Sequence, residues 1–229
     1  AAAAFVFRWL AAAEDRLPPQ PRGGGRIGGG DVERVQAMGR VFKACDNAQG
    51  GARVLPATVV FLRTCAAPML DAAADESTTR RLWAAVALLT LDAGWMAYDS
   101  GRQRLARRYM CTALRLAHAA EDRLLEGRVL CALSHQALYL GQAPAAVALA
   151  RAAEVDADVA PARVRAMWTA MEAMALATLG QARGCARALG RAETALGRAR
   201  GGEQLPEWVD FDEGGLWGHA ARCWREVGR

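Results

Sequence analysis

The chain contains 229 residues, of which 53% are hydrophobic and 23% charged, and its formal net charge is +5. This apolar content excludes a disordered chain, and the length is sufficient for one compact helical-repeat domain. The basic charge does not by itself indicate a nucleic-acid-binding protein, because many arginines alternate with acidic residues as on the solvated faces of helices.

Residues 1–30 predict the start of a fragment followed by a linker. Residues 1–13 have the apolar character of a signal-peptide core, but they include Arg8 and follow neither a basic leader nor an initiator methionine, which argues against a signal peptide. Residues 18–30 are rich in proline and glycine, as linkers are. No strand is predicted before this glycine run and no Gly-Lys-Ser/Thr sequence closes it, so a nucleotide-binding loop is not predicted.

A helical pattern begins at Asp31, a residue type that caps helix N-termini. One apolar stripe of this helix is expected to be buried, and its members are Val32, Val35, Met38, Val41 and Phe42. A break is predicted at residues 46–51 and a second helix at about residues 56–70, which includes the β-branched run at 59–62. Because strand-like alternation is absent elsewhere, the sequence predicts an all-α protein.

Three glycines mark a repeated unit: Gly101, Gly141 and Gly180 recur after 40 and 39 residues. A small residue follows each glycine by five positions and an alanine follows it by twelve; these residues are Ala106, Ala146 and Cys185, and Ala113, Ala153 and Ala192. Positions seven apart lie on one face of an α-helix. Each glycine is therefore predicted to end one helix in the left-handed region, and the small residues to let the next helix pack closely.

This pattern predicts helical hairpins similar to tetratricopeptide (TPR) repeats, whose standard length is about 34 residues. We expect residues 31–229 to form one TPR-like helical domain, a right-handed α-solenoid with extra N-terminal helices and a capping helix at about residues 212–227. The repeat units are predicted at about residues 79–120, 121–160 and 161–200. Their helices are expected at about 79–100, 104–119, 123–140, 145–154, 162–179 and 183–198.

In a TPR-like stack the first helices of the hairpins line a concave groove. Alignment on the turn glycines predicts a groove of aromatic, polar and charged side chains suited to a peptide or a small molecule. These ligand- or partner-binding candidates are Trp95, Tyr98, Asp99, Arg128, His135, Tyr139 and Met174. The alternative is that the aromatic residues only pack between neighbouring helices and that His135 is a hydrogen-bonded, half-buried histidine.

Arginines are most concentrated near the start of the second predicted repeat helix. The members of this cluster are Arg102, Arg104, Arg107 and Arg108. Such a cluster is either a solvated helical face or a site for an anion or an acidic partner, and the pattern leaves both open.

The sequence predicts no catalytic centre, metal site or cofactor. Its six cysteines include no Cys-x-x-Cys pair, and Cys131 with His135 lacks the second pair of ligands that a tetrahedral metal site needs. Ser134 and His135 are neighbours on one predicted helix and point in different directions, which excludes a mutual nucleophile–base pair. Widely separated cysteines in a chain of this length indicate reduced thiols and a cytoplasmic protein.

Several motifs together carry a family resemblance. Residues 94–101 read Gly-Trp-Met-Ala-Tyr-Asp-Ser-Gly, and further motifs occupy residues 106–109, 113–117, 133–137, 206–209 and 211–213. With these motifs the chain resembles the C-terminal region of actinobacterial, chiefly Streptomyces-type, transcriptional regulators. In that family a helix-turn-helix of the Cro/phage-repressor class precedes a TPR-like region, and residues 7–10 and 46–51 match the segment expected between the two parts.

The resemblance implies that the chain is the regulatory domain of a transcriptional regulator whose DNA-binding helix-turn-helix is absent from these residues. Such a domain senses a small-molecule effector or a protein partner, or mediates oligomerisation. DNA would be contacted only through the missing domain, no membrane is expected as a partner, and a homodimer is expected because palindromic half-sites mirror protein symmetry. The alternatives are a stand-alone TPR-like scaffold that binds a peptide in its concave groove, and an enzyme, for which the pattern offers no cluster of polar groups.

Overall fold

The computed structural model describes residues 26–154, 160–199 and 204–228. Within these ranges the chain consists of helices joined by turns and contains no β-strand. The prediction of an all-α protein is therefore confirmed. The predicted fragment start, which includes residues 7–10, and most of the linker lie outside the described residues.

The helices of the described ranges agree closely with the predicted repeat helices. They are α1 (Gly29–Gln49), α2 (Gly51–Phe61), α3 (Glu76–Asp99), α4 (Gln103–Ala119), α5 (Arg123–Tyr139), α6 (Ala143–Ala153), α7 (Ala162–Thr178), α8 (Ala182–Gly197) and α9 (Glu213–Val227). Two carboxylates fix helix starts: Asp75 Oδ1 accepts the Thr78 backbone N–H before α3, and Asp212 Oδ1 accepts that of Gly215 before α9, both at 2.8 Å. Helix α3 therefore begins three residues earlier than predicted.

The predictions for α1 were wrong at two positions. The N-cap is Gly28, and Asp31 lies in the first turn, where Oδ2 accepts the Gly28 backbone N–H at 3.0 Å. Val32, Val35 and Phe42 are buried as predicted, whereas Val41 is 51% exposed. The reason is geometric, since Val41 follows Val32 by two and a half helical turns and so lies on the opposite face.

The second helix begins at Gly51 and not near Pro56. Helix α2 contains Pro56 in its interior, where the missing N–H removes one intrahelical hydrogen bond. Gly51 is buried against α3, where an added Cβ would lie 2.6 Å from Met96 Cα. After Phe61 the chain continues through a π-helical segment, Leu62–Ala66, into a single α-helical turn, Ala67–Met69.

The three turn glycines have the predicted left-handed backbone, with φ of 75° at Gly101, 71° at Gly141 and 76° at Gly180. Each glycine N–H bonds to a carbonyl three residues back and the next N–H to a carbonyl five residues back, a Schellman motif. The turn between α4 and α5 has the same two bonds but places Glu121 in the left-handed region, at φ 57°. The glycine pattern did not reveal this fourth turn.

The small residues that follow the turn glycines are buried as predicted. Each of the six is at most 4% exposed, and they are Ala106, Ala113, Ala146, Ala153, Cys185 and Ala192. A residue without a bulky side chain at these positions lets two helix backbones approach each other. The predicted burial of these six residues is therefore confirmed.

The chain divides into two compact units, one that ends at Leu125 and one that begins at Glu126. In the first unit α3 packs against α1, α2 and α4. In the second unit α7 packs against α6, α8 and α9. Helix α5 joins this second core through Ser134, whose hydroxyl donates to the Ala146 carbonyl oxygen on α6 at 2.9 Å.

Candidate functional site

In the first unit the predicted groove residues lie together at the C-terminal end of α3. Trp95 and Tyr98 are half-buried and meet edge to face, with ring centroids 5.5 Å apart and planes at 79°. Partial burial and the negative charge of Asp46 raise the pKa of the Asp99 carboxyl, while Lys43 acts in the opposite direction. The result is an aromatic pair beside a carboxylate whose charged form is disfavoured.

In the second unit the predicted residues on α5 face the C-terminal segment, which we define as residues 204–228. The guanidinium carbon of Arg128 lies 5.0 Å from the centroid of the Trp208 ring, within cation–π distance. His135, two turns further along α5, lies on the same face as Arg128. It is close enough to His219 and Arg222 of α9 for their charges to influence its titration.

His135 is half-buried, and its surroundings disfavour the imidazolium. Burial, together with the charges of Arg222 and His219, lowers the pKa of His135 to about 4. Burial is also the largest cause of the lowered pKa of His219, whose Nδ1 donates to the Gly215 carbonyl oxygen at 2.8 Å. The neutral imidazole is therefore favoured at both histidines.

The C-terminal segment completes the apolar core of the second unit. Its buried residues are Phe211, Leu216, Ala220 and Cys223, which share one cluster with residues of α7 and α8. The ring of Phe211 also meets that of His219 edge to face, at a centroid distance of 5.6 Å. The sequence predicted a capping helix here. It did not identify Trp208, His219 or Arg222 as neighbours of the groove, because a pattern within a short stretch of sequence does not show which other segment a helix packs against.

Two further predicted groove residues, Met174 and Tyr139, have opposite exposures. Met174 is 4% exposed and belongs to the core cluster of the second unit, so the expectation that it is available in a groove was wrong. The physical reason is that α7 is covered on several sides, by α6, α8 and α9. Tyr139 ends α5 and is 64% exposed, which leaves its ring at the surface.

A cluster of charged side chains connects α6, α7 and α8. Glu172 on α7 has a side chain only 7% exposed; Oε1 accepts a hydrogen bond from Arg151 Nε at 2.8 Å, and Oε2 accepts one from Arg191 Nη2. Burial would raise the pKa of Glu172, but the two arginines outweigh it and hold the pKa below its usual range. Glu154 Oε2 lies 3.5 Å from Arg191 Nη2, and burial together with the charge of Glu172 raises the pKa of Glu154.

Two buried groups of α5, the Ser134 hydroxyl and the Cys131 thiol, have surroundings that affect their chemistry. The Ser134 hydroxyl proton is donated to the Ala146 carbonyl oxygen, and burial raises the pKa of the Cys131 thiol, which disfavours the nucleophilic thiolate. Across the described ranges, no three His, Cys, Asp or Glu side chains are grouped so that they would hold a metal ion. In the same residues no helix has the length and apolar character needed to cross a bilayer.

Comparisons of the chain with protein-family models, with curated proteins and with solved structures give no match. The candidate site therefore rests on its own geometry, in which Arg128 and His135 face the C-terminal segment of the same chain.

Proposed function

We propose that the chain is a regulatory domain whose helical hairpins hold an amphipathic helix on the face formed by α5 and α7. The observation that carries this proposal is the position of the C-terminal segment in the second unit. Trp208 lies over Arg128, α9 approaches His135, and Leu216, Ala220 and Cys223 are buried in the core of the unit. A helix laid by its apolar side against other helices is the helix-in-groove mode of recognition.

The TPR-like character of the hairpins is part of the proposal. It is supported by the four Schellman turns and by the small residues that are buried at the same offsets after the glycines. The right-handed α-solenoid is the arrangement that such hairpins adopt when they stack in series.

In the proposed mechanism the C-terminal segment occupies a surface that an effector or a partner helix also binds. A ligand that binds only the released form shifts the equilibrium towards release, by as much as its affinities for the two forms differ. The family resemblance supports a cytoplasmic transcriptional regulator as the setting, in which release changes the geometry of the attached helix-turn-helix domains. A homodimer is the assembly that this setting favours.

The second candidate function is a stand-alone scaffold for protein–protein interaction. The same observation favours it, because the face that holds α9 has the chemistry of a peptide groove: an arginine under an aromatic ring, a neutral histidine and an apolar floor. Native mass spectrometry of the purified chain separates the two functions. A dimer that carries the extra mass of a small molecule supports the regulator, and a bare monomer supports the scaffold.

The docking itself is tested by a rescue experiment in the full chain. The double variant Leu216→Asp/Ala220→Asp places two carboxylates in the core position of α9, which opposes docking because burial of an unpaired charge is costly. We expect a labelled peptide of residues 207–228 to bind this variant. It should not bind the wild type, in which the tethered segment competes at an effective concentration of about 1 mM or more.

The matched control is Trp217→Asp/Ala221→Asp, which makes the same charge change one residue further along. Trp217 and Ala221 are exposed, so this variant should keep α9 docked and should not bind the peptide. Hydrogen exchange of the wild type provides an independent measurement. We expect the α9 amides to exchange faster than those of α7; equal protection would mean that α9 is a fixed part of the core, and the proposal would be abandoned.

A further inference from the structure

Helix α4 has a charge composition unlike that of the other repeat helices. Its 17 residues, Gln103–Ala119, include no aspartate or glutamate and four arginines, and its N-cap is a fifth arginine, Arg102. By contrast, α8 carries Glu193 and an arginine bound to Glu172, and α5 carries Glu126. The basic excess is therefore concentrated on one helix of the first unit.

The arginines of α4 lie on one face. Residues at spacings of three, four, seven and eleven share a helical face, which places Arg104, Arg107, Arg108, Arg115 and His118 in one stripe. All five side chains are exposed. The stripe from Arg104 to Arg115 extends about 16 Å along the helix axis, at a rise of about 1.5 Å per residue.

The opposite face of α4 is fully used in packing. Its apolar residues are Ala106, Tyr109, Met110, Ala113, Leu116 and Ala117, each at most 3% exposed. The packing of α4 on α3 thus leaves the basic stripe facing solvent. Arg63, from the π-helical segment, and Arg102 lie close enough to Tyr109 to affect its titration, and they extend the positive field beyond the stripe itself.

Three of the arginines have no carboxylate partner in the described part of the chain. No Asp or Glu of these ranges lies within 4.0 Å of Arg104, Arg107 or Arg115. In the second unit, by comparison, both Arg151 and Arg191 are bound to Glu172. The α4 face therefore has charge that the fold itself does not neutralise.

We infer that this basic face of α4 binds the phosphate backbone of duplex DNA without reading its sequence. A duplex presents about one negative charge per 1.7 Å of its axis, both strands counted, so a length of about 16 Å carries about nine phosphates. Guanidinium groups suit this ligand because their planar forks bind phosphate oxygens in pairs. This inference concerns a different helix and a different ligand from the proposed function, so its test is independent of that proposal.

The chemistry of the face favours DNA over other anionic partners. Stable attachment to an anionic membrane needs apolar residues that enter the bilayer, and those of α4 are buried in the core. A peptide interface depends on a few buried aromatic or apolar anchors, and the stripe contains none apart from the half-buried Cys111. Sequence-independent DNA binding, in contrast, is supplied almost entirely by charge.

The test is fluorescence anisotropy of a labelled 20-base-pair duplex of arbitrary sequence, titrated with the full chain at about 20 to 150 mM salt. Three phosphate contacts, one for each of Arg104, Arg107 and Arg115, predict that log K falls against log salt with a slope of about −2.7. The variant Arg104→Gln/Arg107→Gln/Arg115→Gln should lose most of this slope and bind at least about 100-fold more weakly at 0.1 M salt. Glutamine keeps a good helix propensity, and circular dichroism checks that the variant is folded.

The matched control is Arg183→Gln/Arg187→Gln/Arg198→Gln, which removes three exposed arginines from the region of α8. It changes the net charge equally and should leave DNA affinity within about threefold. An equal loss in both variants would show that binding follows net charge and not the α4 face, and would overturn the inference. The absence of salt-dependent binding by the wild type, or equal affinity for a poly-glutamate peptide of the same charge, would overturn it as well.

Discussion

Gly127 on α5 gives the sharpest test of the packing in the second unit. A Cβ added to this glycine would lie 2.6 Å from Cε2 of Trp168 and closer still to Cζ2. Trp168 is only 1% exposed, so its indole ring cannot turn towards solvent. Ordinary carbon contacts begin near 3.5 Å, and the change Gly127→Ala therefore forces a displacement of about 1 Å in a close-packed core.

The magnitude follows from two opposing effects. Overpacking of a core typically costs about 1 to 3 kcal/mol, and the size of this overlap places Gly127→Ala in the upper half of that range. Alanine gains about 1 kcal/mol over glycine from helix propensity, which offsets part of the cost. We expect a net loss of about 1 to 2 kcal/mol, or roughly 2 to 8 °C in Tm for a chain of this size.

The matched control is Gly190→Ala on α8. This glycine is exposed, and an added Cβ would meet no atom within 4 Å, so only the propensity gain of up to about 1 kcal/mol remains. The same chemical change should thus have opposite signs at the two positions. Denaturant unfolding followed by circular dichroism measures both, and Trp168→Phe in the Gly127→Ala background should recover part of the loss.

A stabilising or neutral Gly127→Ala change would refute the reasoning. It would mean that α5 and α7 are separated by more than the structure indicates, or that Trp168 has room to move. A Gly190→Ala change that destabilises as much as Gly127→Ala would show that the glycines act through the backbone and not through the Trp168 contact.

Four further predictions follow from the same structure. Replacement of the fully buried Ala113 by Phe should cost about 1 to 3 kcal/mol or more of unfolding free energy in denaturant melts, and an unchanged melt would contradict the repeat register. Trp95→Ala removes half-buried area and the contact with Tyr98, so a loss of about 2 kcal/mol is expected; a strong loss of stability with partner binding unchanged would favour a purely packing role. The pKa of His135 is about 4 in the folded chain and about 6.5 in the unfolded chain, so the unfolded chain binds the proton first as the pH falls. The free energy of unfolding should therefore drop by about 2 kcal/mol between about pH 7 and pH 5. The variant His135→Gln should remove this part of the pH dependence. Glu172→Gln removes the carboxylate that Arg151 and Arg191 share and should lower the free energy of unfolding by about 1 to 3 kcal/mol at neutral pH. Because the pKa of Glu172 is lowered in the folded chain, this difference from the wild type should vanish when the pH falls below that pKa.

The sequence determined the features that depend on a few neighbouring residues. A left-handed backbone is accessible at little cost only to glycine, so Gly101, Gly141 and Gly180 ended their helices where expected. The burial of the small residues five and twelve positions after each glycine also follows from local sequence, because these residues share the packed face of the next helix. These signals were sufficient for the all-α class and for most helix boundaries.

Only the tertiary structure decided which surfaces are covered and by what. Glu121 takes the left-handed position of a fourth turn, and its Oε2 lies 3.2 Å from Arg80 Nη2 on another helix. Met174 was predicted to face a groove because it aligns with His135, yet it is buried in the core that α9 helps to form. The meeting of Arg128 with Trp208 joins residues 80 positions apart in the chain. Helical periodicity determines on which face of its helix a side chain lies. Which other segment packs against that face depends on contacts between parts of the chain that are distant in sequence.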